Sequence, residues 1–233
     1  MSARMMRPRV PQLENGDRLT RDEFERRYHM TPKHIKAELI DGVVYVASPV
    51  RAIHATPHAD VIGWLTTYRA FTPGTDVADN GTDRLDATNE PQPDAMLYID
   101  VDRSKNFRLG ADGYLEGVPE LIAEVAASSV SKDLGPKKRS YARNGVQEYV
   151  VWRTEEDAID WFTLQNGDYV SMTPDEAGII RSQILPGLWL NVAAMADRNH
   201  ALVLAVLNQG LQSSEHAAFV AKLEAMPRRE VGS

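Results

Sequence analysis

Cysteine is absent from all 233 residues, which removes disulfides, thiolate nucleophiles and cysteine-ligated zinc, and fits a reducing interior. Histidine is scarce. The six histidines, His29, His34, His54, His58, His200 and His216, form no HExxH or similar ligand pattern, so zinc is not expected. No apolar run reaches membrane-spanning length, and the basic N-terminus, Met1 to Val10, lacks the apolar stretch of a signal peptide. The expectation is a soluble, cytoplasmic protein with no membrane partner. Basic charge is also in deficit: 26 Lys and Arg against 33 Asp and Glu give a net charge of -7. That balance weighs against a uniformly basic nucleic-acid surface. The cations that exist cluster in Arg4 to Arg9, Arg21 to Arg27 and Lys132 to Arg143.

What is present is enough apolar residue, 43%, to bury one sizeable core. The composition along the chain divides it into a flexible arm over residues 1–16, a main domain over 17–191 and a helical extension over 192–233. Thr20-Arg21-Asp22-Glu23 has the spacing of a capping box, so a helix is predicted from Arg21 toward Tyr28. Glu38 to Val46 holds two apolar runs joined by Asp41-Gly42, which predicts a hairpin; Asn166-Gly167 predicts a second one between Ala158–Leu164 and Asp168–Met172. Val61, Ile62, Leu65, Tyr68 and Phe71 recur at helical spacing after Thr56-Pro57. Strands are expected around Thr75 to Val77, Asp83 to Ala87, Asp94 to Ile99, Leu121 to Ala126 and Glu148 to Arg153. Asp102 to Pro119 reads as a loop, Leu134 to Arg143 as a basic helix closed by Asn144-Gly145, and Ile184 to Leu190 as a closing segment. From Val192 to Met226 the pattern is helical.

Two carboxylates carry the chemical argument. Asp94, after Gln92-Pro93, and Glu124, within Leu121-Ile122-Ala123-Glu124-Val125-Ala126, each sit against an apolar strand, where an ionised group is costly unless something positive neutralises it. Such a pair suits a hard divalent cation, Mg2+ or Mn2+, with the Val125 carbonyl as a further oxygen ligand. Lys137 lies four residues before Tyr141 on one helix face and could orient a water or stabilise a phosphorane. Glu38 is the best third acid. Asp133 could hold Lys137 or cap the helix. Lys138 and Arg139 read as a solvated face or as contacts for backbone phosphate, and His54 and His58 as structural or surface residues more often than catalytic ones.

At these residues the chain resembles the large bacterial family of restriction endonucleases of the Uma-two type, a branch of the PD-(D/E)XK nuclease superfamily. The match covers Glu38 to Leu190 and rests on Glu38-Leu39-Ile40-Asp41-Gly42, Pro93-Asp94, Pro119 to Val125, Asp133 with Lys137 and Tyr141, and Gly145 to Trp152. The resemblance implies an α/β (α+β) fold, a restriction-endonuclease-like mixed central sheet flanked by helices, with Asp94 and Glu124 as metal-binding acids. In the wider superfamily a lysine stands two residues after the second acid. Here that position is Ala126, and Lys137 matches a displaced lysine. The implied activity is Mg2+-dependent hydrolysis of phosphodiester bonds in DNA, with Glu38, Asp94, Glu124 and Lys137 as the catalytic set. The alternative is an inactive nuclease-like module that binds nucleic acid or a protein. DNA is the expected partner, and a homodimer is a common arrangement for cutting two strands.

Overall fold

The structure, a computed structural model, describes residues 10–47 and 51–229. The basic cluster Arg4 to Arg9, most of the predicted arm and the last four residues of the predicted extension lie outside them. Helix α1 runs over Arg21–Tyr28, as the capping box requires: the Thr20 hydroxyl accepts the Glu23 N–H. Hairpin β1 (Ala37–Ile40) and β2 (Val43–Val46) follows. Its turn residues Asp41 and Gly42 have φ of 52° and 72°, the left-handed pair that matches strand twist in a two-residue hairpin. Phe24, Ala37, Leu39 and Val44 form a small core beneath it. Of the predicted arm, Gly16 donates its N–H to Val44.

Helix α2 spans Ala52–Phe71 and begins a turn before the predicted start. Pro57 lies inside it. The proline removes one ladder donor close to the helix start, where Arg51, Ala52 and Ile53 are exposed and water can solvate the carbonyl left over. Strands β3 (Thr75–Asp79), β4 (Asp83–Arg84), β5 (Ala95–Ile99), β6 (Phe107–Leu109), β7 (Leu115–Gly117) and β8 (Leu121–Ala126) come next. Residues 102–119, expected to be a loop, thus contain β6 and β7. These two strands are three residues each and join β4 in a small three-stranded sheet, a length at which turn residues outweigh any alternation in sequence.

After β8 the chain forms α3 (Val130–Lys132), a wide turn over Asp133–Lys137, and α4 (Lys138–Asn144). The predicted single helix over 134–143 is therefore interrupted. Pro136 has no N–H to donate and disfavours helical geometry at Gly135, whose φ and ψ are -107° and -106°. Gly145, at φ 91°, closes α4. Strands β9 (Glu148–Arg153), β10 (Ala158–Gln165) and β11 (Asp168–Ser171) follow, then β12 (Ile179–Arg181), which no sequence pattern announces, paired with β13 (Trp189–Asn191). Helices α5 (Val192–Ala196), α6 (His200–Leu211) and α7 (Ser214–Glu224) end the described chain.

The central sheet has six strands in the order β11-β10-β9-β8-β5-β3, antiparallel throughout except for β8 and β9. That parallel pair needs a crossover, and α3 to α4 supplies it. Residues alternate between the faces. Leu97, Ala123, Val125, Val150, Trp152 and Trp161 face α2, α5 and α6 in the main core, so the C-terminal helices share that core. Met96, Ile122, Ala126, Tyr149, Val151 and Phe162 face α4 in a second core with Tyr141 and Val146. Glu124 has the parity of Ile122 and Ala126, and Asp94 that of Met96. Both acids therefore belong to the α4 face.

Candidate metal centre

Register brings the two acids together. Ala95 pairs with Ala123 across β5 and β8, so one step outward the antiparallel ladder sets Asp94 opposite Glu124. The Val125 N–H donates to Asp94 Oδ2 at 2.7 Å, which fixes the first carboxylate against the second strand. Glu124 is 4% exposed and Asp94 9%.

Lys137 comes in from the wide turn above them. Its Nζ lies 2.8 Å from Glu124 Oε1 and 2.6 Å from Glu38 Oε1, and it is 2% exposed. Tyr141 donates its hydroxyl to the same Glu124 oxygen at 2.9 Å. The helix interruption preserves the predicted pairing, since Lys137 ends the wide turn directly before α4 and Tyr141 follows four residues on. Glu38, on β1, also accepts the Gln92 N–H and is paired by Lys132 at 2.7 Å. Asp133 is farther off, 4.0 Å from Lys137, and takes the Ser129 hydroxyl at 2.5 Å. Its Oδ1 is buried without a hydrogen-bond partner.

The electrostatics follow from the crowding. Burial opposes the charge on Lys137, but Glu124, Glu38 and Asp133 outweigh it and hold the ammonium well above the usual lysine range. Burial also opposes ionisation of Glu38, yet Lys137 and Lys132 keep it below its ordinary value. Asp94 is lowered too: burial is offset by the His54 hydrogen bond, the Val125 N–H and Lys137. Glu124 is the exception. Burial raises it, Lys137 opposes, and Asp133, Asp94 and Glu38 add to the rise, leaving it up at about 8. Four carboxylates here face two lysines. The donor set is oxygen-rich, buried and short of positive charge, which fits a divalent cation.

Three site residues have little signal in the sequence. Lys132 reads as part of a charge run, while His54 and His58 read as surface or structural. In the fold His54 Nε2 is 3.2 Å from Asp94 Oδ2, and His58 Nε2 is 2.8 Å from the Asp94 carbonyl and 3.1 Å from Asp79 Oδ1. The Asp94 hydrogen bond, opposed by burial, raises the His54 pKa. Their one recognisable sign is the four-residue spacing on a helix. The predicted metal ligand Val125 contributes its N–H to Asp94; its carbonyl remains an expectation.

A mixed central sheet flanked by helices, with a separate hairpin and C-terminal helices, defines a restriction-endonuclease-like fold. The chain belongs to the Uma2 family, whose model matches residues 21–193 and whose description is "putative restriction endonuclease". Among solved structures it is similar to a "putative nuclease belonging to DUF820" from Anabaena variabilis ATCC 29413. That match has a TM-score of 0.56 and 12% identity, and covers 83% of this chain and 99% of the other. At that identity the likeness is one of fold. No curated protein matches the chain.

Proposed function

We propose that this protein is a metal-dependent endonuclease that hydrolyses phosphodiester bonds in DNA. The observation that carries the reading is that Asp94 Oδ2 accepts the N–H of Val125, next to Glu124, at 2.7 Å, while Lys137 Nζ lies 2.8 Å from Glu124 Oε1. Asp94, Glu124 and the Val125 carbonyl would hold Mg2+ or Mn2+, which when bound neutralises phosphate oxygens and acidifies water. Lys137 keeps its proton because carboxylates surround it, so its ammonium is a permanent donor to an attacking water or to charge growing on a non-bridging oxygen. Glu38 positions that ammonium, and Lys132 keeps Glu38 ionised. Tyr141, whose pKa burial pushes well up, holds Glu124 Oε1 as a donor throughout. A second copy of the chain is the natural means of cutting both strands. No helix among the described residues is long and apolar enough to cross a membrane.

Supercoiled plasmid incubated with the purified chain and Mg2+ or Mn2+ tests this. Asp94→Asn, Glu124→Gln and Lys137→Ala should each reduce nicking and linearisation by about a hundredfold or more. Equal cutting by wild type and all three variants would refute the assignment.

Two observations favour a second reading, an inactive module that binds nucleic acid or a protein partner. Lys137 is closed into two short ion pairs, and the net charge is -7. On that reading the wild-type chain binds DNA or a protein, yet leaves plasmid intact with every divalent cation tried.

A further inference from the structure

His54 and His58 stand four residues apart in the first turns of α2, so both rings leave one face of the helix. That face meets the start of β5. One ligand atom each from His54, His58 and Asp94 lies within 4.8 Å of the other two, a spread that a single ion can span after small side-chain adjustment. The ring centroids are 5.7 Å apart and inclined at 69°, so the imidazoles are not stacked on one another. Neither ring is tied down by the hydrophobic core, both being partly exposed. Nδ1 of His54 is buried with no hydrogen-bond partner, so the protein does not fix that ring through its second nitrogen. Asp79 Oδ1 lies 3.1 Å from His58 Nε2 and adds a carboxylate beside the cluster.

The donor set decides which cation belongs here. Mg2+ takes oxygen ligands and parts reluctantly with its water, whereas neutral imidazole is a borderline donor that favours first-row transition ions. We infer that His54, His58 and Asp94 bind a divalent transition cation of the Mn2+, Co2+ or Zn2+ class through two imidazole nitrogens and a carboxylate oxygen. The site thereby selects against Mg2+ at the same acid that the cleavage reading uses. The inference rests on that reading only in taking Asp94 for a metal ligand. It adds nitrogen coordination and a metal preference, neither of which the paired acids require.

The full chain, stripped of metal, would be titrated by calorimetry with Mn2+, Co2+ and Mg2+ separately, and the Mn2+ form examined by pulsed electron paramagnetic resonance. Mn2+ and Co2+ should bind about tenfold or more tightly than Mg2+, and the Mn2+ spectrum should carry imidazole-nitrogen modulation. His54→Gln with His58→Gln should abolish that modulation and bring the affinities together. Equal affinities with no nitrogen signal in the wild-type protein overturn the inference, without recourse to a variant that could misfold. Plasmid cutting separates the two ideas. Cutting that needs Glu124 in a protein without nitrogen coordination leaves the nuclease reading standing alone; nitrogen coordination in a protein whose Glu124→Gln variant cuts like wild type leaves the histidine site standing alone.

Discussion

Lys137 is where a single side chain matters most to the folded state. It neutralises Glu38 and Glu124 together in a site almost closed to water. Replacing it with methionine keeps the volume and strands two buried carboxylates. Lys137→Met should cost about 3–5 kcal/mol by chemical denaturation without metal. In a Glu124→Gln background the same change should cost clearly less, because one of the two acids that Lys137 pairs with is already gone; equal costs would mean that the pair is not coupled. Glu120 gives a pH-dependent counterpart away from the metal centre. Burial lifts its pKa from 4.5 to about 7 despite the Ile99 N–H that it accepts at 2.8 Å. In the interval between those values the folded state binds the extra proton, so this group stabilises the fold below pH 4.5 and loses that contribution as pH rises through 7. Glu120→Gln cannot ionise. Its stability relative to wild type should grow across the interval by on the order of 1–3 kcal/mol, read from urea midpoints at several pH values.

Among the elements, those with a local chemical cause were legible. The capping box placed α1, the Asp-Gly and Asn-Gly turns placed both hairpins, and apolar runs placed β5, β8 and β9. What the sequence hid was either too short to show a pattern or had distant causes. Strands β6, β7 and β12 are three residues each, too few for alternation to show, although β6 pairs with the nearby β7 and β12 with the nearby β13. The early start of α2 was hidden by Pro57, and with it the arrival of His54 and His58 at Asp94, a contact across 40 residues. The acid pair was legible because each acid borders an apolar run, a local pattern; the pairing of β5 with β8 that brings their strands side by side was not. Lys132 was not, because its Glu38 partner is 94 residues away. The packing of α6 on β13 shows how tight such distant contacts are. A Cβ on Gly210 would overlap the Gly187 carbonyl oxygen and lie 2.8 Å from the Trp189 ring. Backbone cannot yield as a flexible side-chain tip does. Gly210→Ala should therefore destabilise by about 1–3 kcal/mol, seen as a lower urea midpoint with an unchanged slope, and an unaltered midpoint would show that α6 is free to lift.

For the molecule as a whole, the difficulty is how a chain of net charge -7 would hold a polyanion. A long-range field of that sign repels DNA, and local cations have to overcome it within about a Debye length, roughly 8–10 Å at ordinary ionic strength. One group of them lies on the helix that carries Tyr141. Helix α4 turns Tyr141 inward to Glu124, while Lys138, Arg139 and Arg143 line a cleft of about 410 Å³ with Gly167, Asp168 and Tyr169 of the second hairpin. Lys138 lies over the Phe162 ring and Arg143 is paired with Asp41, so these two are already positioned, while Arg139 is exposed. If DNA is the substrate, its backbone reaches the acids over this cleft. Lys138→Ala with Arg139→Ala should then weaken DNA binding and reduce the slope of log affinity against log salt by about one for each phosphate that the variant no longer neutralises. The same double variant should keep its metal affinity, because neither side chain touches Asp94, Glu124 or the histidines. A salt slope unchanged from wild type would move the DNA path away from this cleft to another face of the fold.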